Sequence, residues 1–86
     1  MKKEINISGI DQYVIDFVIK LRDRYHLKQE DIATILSVKR TFITNIESPK
    51  NRAKYNLNHI DKLADHFGIS PREFLPQDSL SKEKSK

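Results

Sequence analysis

Gln29–Ser48, QEDIATILSVKRTFITNIES, is the stretch that decides the fold. Its apolar residues fall into two helical stripes with a turn between them. Ile32, Ala33 and Leu36 share one face of a first short helix, and Ile43 and Ile46 share one face of a second. Val38 sits in the joint, where it reaches a common core. The second helix is then held from one side only. Its other side carries Thr41, Thr44, Asn45 and Ser48 at spacing i, i+3, i+4 and i+7, with Arg40 next to them. A polar stripe of this kind suits the DNA major groove, where it can bond to base edges.

The distribution of charge points the same way. The chain has 86 residues and a net charge of +4. Residues 37–56 hold five cations, Lys39, Arg40, Lys50, Arg52 and Lys54, against the single carboxylate of Glu47. Residues 1–36 hold six basic and six acidic side chains, and residues 57–86 hold five of each. The whole excess therefore falls on the second helix and the loop after it. Chance clustering on a solvated loop is the plainer account; beside this helix pair, a polyanionic partner is the better one.

The flanking sequence supplies the rest of an all-α domain. In Ser8-Gly9-Ile10-Asp11, either Ser8 caps a helix with Asp11 three residues on, or Asp11 is itself the cap. The helix then spans about 9–25, with Val14, Phe17, Val18, Leu21 and Tyr25 facing the core. Ile15 and Ile19 lie off that stripe, marking either a broad buried face or a subunit contact. Helices over about 29–36 and 39–48 follow. Glu30 and Asp31 in the first turn of the 29–36 helix suit the positive end of its dipole. Ser48-Pro49 stops the next helix. A polar, basic loop leads into a helix over about 56–67 with Leu57, Ile60, Leu63, Ala64 and Phe67 on one side and Gly68 as its stop. Ser70-Pro71-Arg72-Glu73 reads as a helix start, a cap with proline at N1 and Glu at N3. It opens a short helix over 71–75 that returns Phe74 and Leu75 to the core. The expectation is an N-terminal arm (1–8), a compact five-helix domain (9–76) and a disordered polar tail (77–86).

These features resemble the phage-repressor-like (Xre-type) helix-turn-helix family. The resemblance rests on Gln29 opening a helix, Ile32-Ala33, the turn Ser37-Val38, and Ile43 to Ile46-Glu47. It extends to Leu21-Arg22 upstream and to Leu63-Ala64, Phe67-Gly68-Ile69 and Phe74-Leu75 downstream, covering roughly residues 13–76. It implies a compact five-helix bundle whose 39–48 helix reads double-stranded DNA. It also implies that Gln29 bonds a phosphate at a helix N-terminus, and that Arg22 pairs with Glu47 to orient the reading helix. Two unrelated surface charges are the alternative for that pair.

This chain departs from the family at three places. Ser37 stands where the family has Gly, at a cost of about 1 kcal/mol if that backbone needs positive φ. Lys28 and Lys39 stand where it has Ser or Thr caps, each losing a bond worth about 1 kcal/mol. Both lysines put a cation beside the expected phosphate path.

Arg40, Thr41, Thr44 and Asn45 are the base-contacting candidates: Arg40 can bond guanine bidentately and Asn45 adenine, each worth about 1–3 kcal/mol of discrimination. Thr41 and Thr44 are alternatively phosphate or thymine-methyl contacts, or plain solvated surface. Lys28, Lys39, Ser48, Lys50, Arg52 and Lys54 join Gln29 as phosphate contacts, supplying affinity rather than sequence reading. Phe42 is either a core-edge residue or a thymine-methyl contact.

Other chemistries find little support. The chain has no Cys and only two glycines, so it offers no disulfide, thiolate metal site or glycine-rich phosphate cradle. His26, His59 and His66 have no i, i+4 partner of metal-binding type and read as surface or helix-end residues. No enzyme, cofactor or metal is expected. MKKEINIS lacks the apolar stretch of a secretory signal, and no membrane span is present, so a cytoplasmic setting is expected, bacterial or phage from the resemblance. One such domain covers one half-site, and a two-fold homodimer on a palindrome is expected. The alternative is a protein-interaction module on the same fold, antitoxin-like or bridging, whose main partner is another protein.

Overall fold

The computed structural model describes residues 7–50 and 52–80. Its elements are α1 (Gly9–Arg24), α2 (Gln29–Leu36), α3 (Arg40–Glu47), α4 (Leu57–Phe67) and a 3₁₀ turn (Pro71–Phe74). No strand occurs among the described residues. The expected fifth helix is corrected to this 3₁₀ turn. Ser70 and Pro71 start it as foreseen, with the Ser70 hydroxyl accepting from the Arg72 N–H at 3.1 Å. It closes at Phe74 because the chain must turn that ring straight into the core, and four residues do not complete an α-helical ladder.

Each helix start has its own chemistry. Ser8 caps α1: its Oγ accepts from the Asp11 N–H (3.2 Å) and donates to the Asp11 carboxylate (2.7 Å). Lys28 has no acceptor to offer α2, but Asp31 reaches back and accepts the Lys28 N–H at 2.8 Å, recovering half of a capping box. Lys39 leaves α3 without a side-chain cap. Asn56 and His59 cap α4 reciprocally: Asn56 Oδ1 accepts from the His59 N–H at 2.9 Å, and His59 Nδ1 accepts from the Asn56 N–H at 3.0 Å.

Three helix ends share one geometry. His26 (φ 59°), Ser37 (φ 60°) and Gly68 (φ 70°) are left-handed. The N–H of the following residue then bonds back five residues: Leu27 to Arg22, Val38 to Ala33 and Ile69 to Ala64, at 2.9–3.0 Å. α3 ends differently, on extended Ser48 ahead of Pro49.

One core unites these elements. Val14, Ile15, Val18 and Leu21 of α1 meet Ile32, Ala33 and Leu36 of α2, Ile43 and Ile46 of α3, and Ile60, Leu63 and Ala64 of α4, with Tyr55 and Phe74 completing it. Ile15 is buried and Ile19 packs against the same core, so α1 has the broad buried face. Phe17 sits edge-on to Phe74, ring centroids 4.8 Å apart.

Three apolar residues depart from expectation. Tyr25 is 48% exposed, since the chain leaves the helix there, and its ring stacks on Phe67 instead. Leu57 is 77% exposed at the first position of α4, ahead of the turn that faces the core. Leu75 follows the 3₁₀ turn in extended backbone and points outward. Leu80, in the segment read as a disordered tail, lies against Gly9 at the start of α1. Residues 81–86 of that tail, and 1–6 of the arm, lie outside the described residues.

Candidate nucleic-acid interface

α3 is buried on one side and exposed on the other. Ile43 and Ile46 are sealed beneath it, with 0% and 2% exposure. One turn of helix then forces Arg40, Thr41, Thr44 and Asn45 outward, and all four are exposed. Phe42 is half-buried against the core with its ring 5.4 Å from that of His59, which places it at the core edge.

A polar chain runs behind this face. Arg22 of α1 holds Glu47 at the end of α3 through two parallel bonds, Nη2 to Oε1 at 2.8 Å and Nε to Oε2 at 3.3 Å. Its Nη1 also donates to the Leu27 carbonyl at 3.3 Å. The side chains are 18% and 10% exposed, and the fork geometry fixes the end of α3 against α1. Gln29 Nε2 donates to the same Glu47 Oε1 at 2.9 Å, and Gln29 Oε1 accepts from the Thr44 hydroxyl at 2.8 Å. The amide of Gln29 thus bridges α2 to α3, which no sequence spacing revealed.

Tyr55 completes the underside. Its phenol is buried and has no hydrogen-bond partner among the described residues. Burial, and secondarily the Glu47 carboxylate, push this phenol above its ordinary range, with Arg22 opposing, so it stays protonated. Sequence reading missed Tyr55, because it lies in an irregular loop with no periodicity to mark it.

The cations frame the exposed face. Lys28, Lys39, Lys50 and Arg52 are exposed. Lys28, Gln29 and Arg40 share a shallow depression of about 410 Å³ with Arg22, Leu27 and Glu30 at the start of α2. Ser48 is half-buried, its Oγ accepting from the Lys50 N–H at 3.3 Å. Lys54 differs: its ammonium lies 3.5 Å from the Asp11 carboxylate, which offsets its charge. Among the described residues no group of His, Cys, Asp or Glu could hold a metal ion, and no helix is long and apolar enough to cross a membrane.

Two short helices joined through a left-handed Ser37, the second clamped from behind and polar in front, define a helix-turn-helix domain. Residues 18–74 match the helix-turn-helix family, and the chain belongs to its phage-repressor-like (Xre-type) branch, a DNA-binding rather than enzymatic family. No curated protein and no solved structure gives a significant match.

Proposed function

We propose that the chain is a small, repressor-like transcriptional regulator that binds double-stranded DNA sequence-specifically, laying α3 in the major groove. The observation that carries this reading is the exposed set Arg40, Thr41, Thr44 and Asn45 on a helix whose opposite face is fully buried. Arg40 and Asn45 have the donor and acceptor geometry to read guanine and adenine, and the threonines sit between them. Lys28, Lys39, Lys50 and Arg52, with Gln29, supply phosphate contacts that fix register. A homodimer on a two-fold operator supplies the affinity that a single half-site lacks.

Operator selection from a random duplex library tests the reading. On the selected operator, Arg40→Ala should lose roughly 5- to 100-fold at one base pair and relax preference there. Arg52→Ala should weaken selected and random duplexes alike. Equal behaviour of the two variants would overturn this sorting of base from backbone contacts. A library with no enriched sequence would point to a protein partner instead.

A further inference from the structure

The polar chain that starts at Arg22 reaches the surface of α3 with a defined polarity. Glu47, paired with Arg22, has only lone pairs to offer. At 2.9 Å from its Oε1, only the NH₂ end of Gln29 fits, because the flipped amide would set oxygen against oxygen. Gln29 Oε1 therefore faces Thr44, and at 2.8 Å it takes the hydroxyl proton. Among the described residues the only competitor for that proton is the Arg40 carbonyl at 3.2 Å, also an acceptor. In either case the single proton of Thr44 points back into the protein. What this hydroxyl offers a ligand is lone pairs.

A free threonine bonds to donors and acceptors alike; this one accepts only. Phosphate oxygens are acceptors, so Thr44 is a poor backbone clamp. In the major groove the N–H donors are the amino groups, adenine N6 and cytosine N4, whereas guanine O6 and N7 and thymine O4 are acceptors. We infer that Thr44 selects a base carrying a major-groove amino group, adenine or cytosine, and that Gln29 is the positioning residue that sets this preference. The inference rests on α3 being the reading helix, and deepens that reading by assigning one position of the operator a chemical class.

The experiment compares operators selected by the wild-type chain and by Thr44→Val, which keeps the shape of the exposed side chain and removes its hydroxyl. Thermal melting confirms that the variant is folded. One operator base pair should lose its preference in the variant, and the wild type should favour one orientation of that pair roughly tenfold, the one that turns the amino-bearing strand toward Thr44. An analogue lacking the amino group at that base, purine or 2-pyrimidinone, should weaken the wild type by a similar factor and Thr44→Val by no more than about twofold. Gln29→Leu should reduce discrimination at the same position and leave the others intact. An amino-lacking analogue that leaves the wild type's affinity unchanged on either strand of that base pair, or a Thr44→Val operator identical to the wild type's, would overturn the inference while leaving DNA reading in place. Unchanged discrimination in Gln29→Leu would remove Gln29 from its role. A wild-type chain that selects no sequence overturns both readings.

Discussion

Three residues solve the same problem with different chemistry. His26, Ser37 and Gly68 each turn the chain through the left-handed region so that the next N–H can reach back to the helix it leaves. Only Gly68 does so without a Cβ penalty, and no atom would meet a Cβ there, so the strain of a substitution is purely in the backbone. For L-residues that region costs about 1–2 kcal/mol, partly offset by the greater freedom glycine has in the unfolded chain. Ser37→Gly should therefore raise stability by up to about 1 kcal/mol in urea unfolding, and Gly68→Ala should lower it by a similar amount. A Ser37→Gly chain no more stable than wild type would mean that the serine side chain compensates locally. The demand on Ser37 was legible through the family resemblance, which puts Gly at that place in the turn. The same demand on His26 was not, since nothing in Tyr25-His26-Leu27 distinguishes a left-handed residue from an ordinary helix end. Gln29 was legible as a residue type and not as a contact: its partners Thr44 and Glu47 lie 15 and 18 residues away and meet it only when α2 and α3 are packed.

At the scale of elements, periodicity marked the helices and little else. The stripes of α2 and α3 came straight from their 3.6-residue repeat, because both helices are two-sided. Leu57 satisfied the same repeat and failed it in space, because the first residue of a helix precedes the turn that touches the core. The start of α4 was read to within a residue, but its cap was hidden, since histidine is not a usual third-position capping residue. There His59 uses Nδ1 as an acceptor for the Asn56 N–H, which requires the neutral ring. Its ring also faces Phe42 of α3 and Tyr55 of the loop, with Lys62 on α4 nearby. Burial first, and the Lys62 ammonium second, lower its pKa from the ordinary 6.5. The folded chain thus refuses a proton that the unfolded chain accepts near pH 6.5, so this contribution to stability is complete above that pH and declines as the pH falls through and below it. His59→Gln keeps a capping acceptor and cannot titrate. Melting curves between about pH 5 and 7.5 should lose stability toward acid in the wild type and do so less steeply in the variant. Equal slopes would show that His59 does not titrate as its contacts require.

For the whole molecule, the decisive quantity is where charge is left uncompensated. Glu47 is the one carboxylate between residues 37 and 56, and Arg22 holds it, so the cations around α3 keep their charge for an external partner. Lys54 is the exception because Asp11 sits beside its ammonium. This distinction becomes measurable through counterion release, where each phosphate contact contributes about −0.9 to the slope of log Kobs against log salt. Four such contacts, at Lys28, Lys39, Lys50 and Arg52, give a slope of about −3.6 per bound chain on random duplex, and a two-fold dimer about twice that. Lys50→Ala should flatten the slope by about 0.9, whereas Lys54→Ala should flatten it by clearly less, because Asp11 already offsets the charge that would neutralise a phosphate. A dimer adds a geometric requirement: half-sites about 34 Å apart, so inserting half a helical turn between them should weaken binding far more than inserting a whole turn. A salt slope near zero would remove DNA as the partner of this surface, and equal effects of Lys50→Ala and Lys54→Ala would show that the Asp11 pair opens on binding and leaves Lys54 as free to meet a phosphate as its neighbours.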